Sequence, residues 1–200
     1  MFITLEGPEG SGKSTQLERL QARLEKEGRA VVALREPGGT KLGELIRTLL
    51  KNEAMVPEAE LLLFAASRAQ LVRELIQPAL QAGKVVLCDR FLDSTTVYQG
   101  AARSLNAEAV AQVNALAVGG CRPDLTFVLD LPVSISFERI EARGTLDRFE
   151  QAGCDFHAAV RAGYQRLAEA TPDRVRLLDA LQPLGTLEAA IWEIVREHLD

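Results

Sequence analysis

Gly7, Gly12, Lys13 and Ser14 stand in the order G-x-x-x-x-G-K-[ST] within the stretch GPEGSGKST, residues 7–15. Those residue types at that spacing suit one task, holding a phosphate chain. Glycines let the loop wrap so that successive N–H groups converge on one anion. A following helix adds the positive end of its dipole at the same point. In such a loop Lys13 reaches the β- and γ-phosphates of ATP, and the Ser14 hydroxyl ligates Mg²⁺. Gly7, Gly10, Ser11, Gly12, Lys13, Ser14 and Thr15 are therefore the candidate ATP-binding residues. The pattern arises by chance in about one chain in a hundred of this length, so its surroundings must decide.

Other groups could serve the same chemistry. VVLCDR ends an apolar run with Asp89 and Arg90, and LTFVLD ends another at Asp130. An acid at the tip of a buried strand is where a phosphate-loop enzyme keeps its Mg²⁺-side carboxylate. Position alone does not separate the two acids. Arg90 favours Asp89, because an arginine beside the metal acid can hold a second phosphate. REPGGT, residues 35–40, puts Arg35 and Glu36 before a Pro-Gly-Gly turn; by itself it reads as a loop with an exposed ion pair. Phe64 and Arg68 lie at i and i+4, on one helix face. They are either core packing or a ring stacked on a base with a guanidinium beside it. Ser94, Tyr98 and Gln99 sit in a polar stretch just after Asp89 and Arg90; by itself it reads as a helix turn ended by Gly100. The stretch 142–155 mixes Gly, Asp and Arg and carries Arg143 and Arg148, with Arg139 just before it. It is a mobile lid or a solvated connection. Gly10 and Ser11 bring no positive side chain to the loop. Transfer of a phosphoryl group needs cations besides Lys13 and the metal, so Arg143 and Arg148 are candidates ahead of Arg139.

These residues need elements to position them. MFITLE before the loop reads as a buried strand, and KSTQLERLQARLEKEG after it as an amphipathic helix stopped at Gly28. Further strands are expected at 30–34, 85–89, 125–130 and 175–178, mostly apolar on both faces as buried parallel strands are. Helices are expected at 13–27, 40–51, 58–82, 107–118, 133–142, 156–170 and 187–197. Alternation of strand and helix argues a doubly wound α/β fold, with ligands beyond the carboxyl ends of the strands. Two hundred residues, 47% of them hydrophobic, suit one domain with a sizeable core. A net charge of −5 argues against a nucleic-acid polymer as partner. Any polyanionic ligand must then be met by local arginines. Cys88, Cys121 and Cys154 are dispersed and odd in number, which fits a reducing, cytoplasmic setting better than a disulfide framework. No basic leader or long apolar span points to a membrane.

Taken together, EGPEGSGKST, REPGGT, FAASRAQ, DRFLDSTTVYQG, CRPDLTFVLDLP and RGTLDRFE closely resemble the bacterial thymidylate kinases, in order and in spacing, from residue 2 to the final helix. The resemblance implies a five-stranded parallel sheet flanked by helices with a short lid. It also implies a homodimer and the transfer of a phosphoryl group from ATP to dTMP. By the same resemblance Glu9 is the loop acid near the deoxyribose 3′-hydroxyl, and Arg35 and Arg90 hold the dTMP phosphate. Phe64 stacks on thymine, Arg68 and Ser94 are base-edge donors, and Tyr98 crowds the 2′ position. Gln99 lies beside Tyr98 among the substrate-binding candidates. Lys13, Arg90, Arg143 and Arg148 are the catalytic cations, and Asp179–Pro183 is the loop against which adenine rests. A deoxynucleoside kinase would accept on a hydroxyl, whereas Arg35 and Arg90 argue for an acceptor that already bears a phosphate. A GTPase switch would show an N-K-x-D guanine reader, and the sequence has none.

Overall fold

In a computed structural model, which describes residues 1–142, 144, 148, 149 and 151–199, five parallel strands form one sheet in the order β2-β3-β1-β4-β5. The strands are β1 (Phe2–Glu6), β2 (Val31–Arg35), β3 (Val85–Asp89), β4 (Leu125–Asp130) and β5 (Val175–Asp179). The three central strands are buried along nearly their whole length, and the edges β2 and β5 are only partly covered. This is why the central runs read as continuously apolar. The register pairs Leu5 with Asp89 and Glu6 with Val128. The carboxyl ends of β1, β3 and β4 therefore open on the same edge. Chain order reverses across β1, so the crevice outside this edge is the ligand position expected of an open parallel sheet.

Nine helices cover the faces among the described residues: α1 (Lys13–Lys26), α2 (Lys41–Asn52), α3 (Pro57–Leu71), α4 (Gln77–Gln81), α5 (Leu92–Thr95), α6 (Ala107–Val118), α7 (Val133–Glu141), α8 (Cys154–Ala170) and α9 (Leu184–Arg196). Ile3, Leu5 and Phe127 pack under α1 and α9 against Leu17, Leu20, Ile191 and Val195. On the other face Phe2 and Val86 meet Leu71, Ile76, Phe91 and Val118. Neighbouring residues of β1 thus point to opposite faces, as the pleat requires.

Two helices depart from the sequence expectation. The single helix expected at 58–82 contains a π-helical turn, Val72–Ile76, between α3 and α4. Pro78 follows that turn. Proline lacks an N–H and crowds the carbonyl four residues back, and a widened turn accommodates both. The polar stretch after Arg90 is helical too: α5 runs into a second π-helical turn, Thr96–Ala102, which passes straight through Gly100. The stop expected at Gly100 is not made, and one side of the helix faces the crevice.

Candidate active site

The loop between β1 and α1 requires its glycines. At Gly7, φ is 132°, and a Cβ would lie 2.5 Å from the Leu129 carbonyl oxygen. At Gly12, φ is 90°, and the residue caps α1 so that the helix N-terminus opens on the crevice. Lys13 is buried there. Its Nζ donates to the carbonyls of Gly7 (3.1 Å) and Pro8 (2.7 Å) and to Ser11 Oγ (3.4 Å). Burial, with repulsion from Arg90 next, pushes its ammonium down to about 8. Ser14 Oγ donates to Asp89 Oδ2 at 2.7 Å. Asp130 is instead engaged bidentately by Arg161 at 2.8 Å. Geometry thus places Asp89, not Asp130, beside the loop. A hydroxyl and a carboxylate side by side at a phosphate loop are the hard oxygen donors that Mg²⁺ takes, so these residues fit the ion.

A cavity of about 540 Å³ opens from this loop. Gly10, Gly12, Lys13, Ser14 and Thr15 line one end, while Gly7 and Ser11 shape the loop from behind. Beside them Arg90 has φ 67°, a strained value for a residue other than glycine. Its guanidinium donates to Glu9 Oε1 at 3.0 Å, to Ser94 Oγ and to the Tyr164 hydroxyl. The Tyr98 hydroxyl donates to both Glu9 oxygens at 2.7 and 2.9 Å. Burial would raise the Glu9 carboxyl, but Arg90 and Lys13 outweigh it and hold it below its ordinary range. Glu6, fully buried at the end of β1, fastens this turn. It accepts from the Phe91 N–H (2.8 Å), Ser94 Oγ (2.6 Å) and the Tyr164 hydroxyl (2.9 Å). Burial and then Asp93 push its carboxyl up.

Further from the loop the wall carries Arg35, Glu36, Phe64, Thr95, Tyr98, Gln99 and Phe149. Arg35 pairs with Glu44 at 3.1 Å. Phe64 is half-buried and meets the Phe149 ring edge-on at 5.9 Å, so it faces the cavity and not the core. Two expectations are revised here. Arg68 is 1% exposed and lies behind the wall. It donates to Glu36 (2.8 Å), Asn114 (2.8 Å), the Phe91 carbonyl (3.1 Å) and Thr95 Oγ1 (3.0 Å). It therefore positions the wall, with four of its five N–H groups committed. Ser94 does line the cavity, but its one hydroxyl hydrogen goes to Glu6, at the Arg90 end. The neighbouring Thr95, also on the cavity lining, turns its Oγ1 to Arg68, and its hydroxyl hydrogen has no acceptor among the described residues. Glu36 Oε1 and Gln99 Oε1 are likewise buried without a partner.

The stretch before α8 gives a third revision. Arg139, ranked last from the sequence, lines the cavity and donates to the Gly10 carbonyl at 3.0 Å. Arg148 does not reach the phosphate loop. It pairs with Glu60 at 2.7 Å and donates to the Leu50 carbonyl at 3.2 Å. Arg143 lies outside the described residues. The Asp179–Pro183 loop is a turn in which Asp179 holds the Leu181 N–H and the Gln182 amide, and it is not on the cavity wall.

The glycine-rich loop and an aromatic, arginine-lined pocket thus share one cavity. A sequence model of the family described as thymidylate kinase matches residues 5–191. The chain belongs to the thymidylate kinase family. Its activity is the phosphorylation of dTMP. It is 51% identical to the thymidylate kinase of Deinococcus radiodurans over 200 residues, covering 99% of this chain and 97% of that one. It is 54% identical to that of Pseudomonas entomophila over 194 residues, covering 96% and 92%. The crystal structure of thymidylate kinase from Ehrlichia chaffeensis superposes with a TM-score of 0.80 at 32% identity, covering 98% of both chains. The parallel five-stranded fold expected from the sequence is the fold of that family.

Within this thymidylate kinase chain, four positions at the site escaped the sequence reading: Glu6, Glu36, Glu60 and Thr95. Glu36 stood in the motif REPGGT, but its burial was not legible there. Nothing in an isolated ELLLF or TLEG shows that its acid is buried and multiply bonded. The only available signal was an acid inside an apolar run, which is costly unless paired.

Proposed function

We propose that the enzyme transfers the γ-phosphoryl group of ATP to dTMP in one in-line displacement. ATP takes the Gly7–Thr15 loop and dTMP the cavity beyond it. An oxygen of the dTMP phosphate attacks the γ-phosphorus while the bond to the β–γ bridging oxygen breaks. ADP and dTDP leave, and no enzyme group is modified. The observation that carries this reading is the joint lining of one cavity by the Lys13 loop, by Arg35 and Arg90, and by Phe64.

In this reading the α1 N-terminus and Lys13 stabilise negative charge on the β- and γ-oxygens. Ser14 and Asp89 would hold Mg²⁺, which supplies further charge neutralisation at those oxygens when bound. Arg90, fixed by Glu6 through Ser94 and Tyr164, holds the acceptor phosphate, and Arg35 joins it. Glu9, kept ionised by Arg90, and Tyr98 meet the deoxyribose. Phe64 stacks on the base, with Thr95 and Gln99 at its edge. Arg139 is the described cation of the pre-α8 segment closest to the loop.

We read all 200 residues as one kinase domain that works as a homodimer in the cytoplasm, with no nucleic-acid polymer as partner. Support for the dimer is an exposed leucine face: Leu42, Leu45 and Leu49 on α2, Leu62 on α3 and Leu116 on α6, between 46% and 79% exposed. These helices pack side by side, α2 on α3 and α3 on α6, and exposed apolar side chains gathered on neighbouring elements suit an interface. No helix among the described residues is long and apolar enough to cross a membrane. The test is dTDP formation from ATP and dTMP, with and without Mg²⁺, beside thymidine and dCMP. Wild-type enzyme should require the metal and prefer dTMP, and Arg90→Ala should lose most activity by raising the dTMP KM. Equal turnover of thymidine, or an unimpaired Arg90→Ala enzyme, would refute the acceptor assignment.

A further inference from the structure

Glu60 lies in the first turn of α3, is 1% exposed, and collects three donors. Gln99 Nε2 reaches it at 2.8 Å, Arg103 at 3.4 Å and Arg148 at 2.7 Å. Arg148 also donates to the Leu50 carbonyl at the end of α2. Its guanidinium sits 4.7 Å from the centre of the Phe149 ring. The ring beneath that guanidinium also reaches the pocket. Phe149 lines the cavity and meets Phe64 at 5.9 Å and Tyr98 at 6.5 Å, edge-on in both cases. One residue thus grips the α2–α3 wall while its neighbour covers the aromatic end of the pocket.

We propose that the Arg148–Glu60 pair is a latch that closes the acceptor pocket. Arg148 acts as a positioning residue for Phe149, and Phe149 forms a second aromatic wall facing Phe64. The inference rests on the reading of this cavity as the dTMP pocket.

The physical grounds are burial and direction. The Arg148 side chain is 22% exposed and that of Glu60 2%. A charge pair this sheltered is weakly screened, and removing one partner leaves the other buried and unpaired. The same acid fixes the pocket wall. A carboxylate is an acceptor only, so it must take the Nε2 end of Gln99. The Gln99 Oε1 is thereby left buried without a partner among the described residues, on a residue of the cavity wall. Glu60 therefore holds both the cover and a wall side chain in place. Arg148 does not face the transferring phosphoryl group in this arrangement; that direction belongs to Arg139, on the Gly10 carbonyl.

The test uses the intact enzyme and Arg148→Ala, Arg148→Lys and Phe149→Ala. dTMP affinity is measured by calorimetry without ATP, and kcat and both KM values are measured in steady state. Arg148→Ala should weaken dTMP binding about tenfold or more, with kcat and the ATP KM nearly unchanged. Arg148→Lys should recover part of the loss, since an ammonium can still pair with Glu60. Phe149→Ala should weaken dTMP similarly with the ion pair intact, which guards against misfolding of one variant. Unchanged dTMP affinity in both alanine variants would overturn the latch. So would a fall of about a hundredfold or more in kcat for Arg148→Ala at unchanged dTMP affinity, the mark of an arginine that meets the transition state. Wild-type enzyme that failed to bind dTMP would instead overturn the pocket assignment on which the latch depends.

Discussion

Arg68→Met should unfold the enzyme more readily than it disables the chemistry. Arg68 and Glu36 have side chains 1% and 3% exposed and pair at 2.7 Å. Among the described residues Glu36 Oε1 already lacks a partner, and Arg68 is the only side chain that hydrogen-bonds Oε2. Removing the guanidinium leaves a bare carboxyl in the core, which costs about 3–5 kcal/mol. For a chain of this size that is a fall in Tm of roughly 6–20 °C. The penalty has a pH signature. Burial raises the Glu36 carboxyl from 4.5 to about 7 even with Arg68 present. Because the folded pKa lies above the unfolded one, the stability this group contributes is fully present below about 4.5 and is lost as pH rises through about 7. Without Arg68 the folded pKa rises further. The Arg68→Met penalty should therefore be small near pH ~5 and grow toward pH ~8. Glu36→Gln should gain on the wild type over the same window. The double variant should recover much of the loss, having no stranded charge. Urea midpoints across that pH range for the four proteins measure all of this. A single variant that melts like wild type near pH ~8, or a double variant no more stable than Arg68→Met, would refute the argument.

Two further outcomes are expected. Lys13, pushed to about 8 by burial and by Arg90, should make kcat/KM for ATP fall as pH rises through that value. kcat should hold to higher pH, because bound phosphates favour the charged ammonium. Profiles flat across this window would remove Lys13 from the ATP site. Phe64→Ala should weaken dTMP by roughly 1–3 kcal/mol and leave ATP affinity nearly unchanged. A large fall in the ligand-free Tm with dTMP affinity intact would make Phe64 a core residue after all.

Much of this fold is legible because its grammar is local. Gly7 to Ser14 demands a strand before it and a helix after it, and β1 and α1 lie there. The apolar runs that became β3 and β4 have few other places to go than a doubly covered sheet. What stayed hidden depends on which side of an element faces the crevice. Ser94 and Thr95 are adjacent and chemically alike, yet one turns to Glu6 and the other to Arg68. One residue of helix rotation, about 100°, separates those roles, and the π-helical turn that follows shifts the phase again. Arg68 and Arg148 misled for a common reason. An arginine's reach is long, and only tertiary structure shows which carboxylate it meets first.

Those carboxylates explain how a chain of net charge −5 can receive two polyanions. Four arginines at or behind the site are held by acids: Arg35 by Glu44, Arg90 by Glu9, Arg148 by Glu60, Arg68 by Glu36. Burial decides which of them can exchange its acid for a substrate phosphate. The Arg35 pair is 57% and 45% exposed, and such a pair is worth little, so Arg35 can leave Glu44 at small cost. The Arg90 pair is 18% and 13% exposed, and Arg90 is also fixed by a strained backbone and by Ser94 and Tyr164. In the proposed reading the phosphate comes to Arg90, while Arg35 moves to the phosphate. Arg68, sealed at 1%, can do neither, and its charge serves the wall alone. On that reading the order of exposure, from the cavity wall to the residue behind it, is an order of function: a mobile clamp, a fixed anchor and a permanent strut.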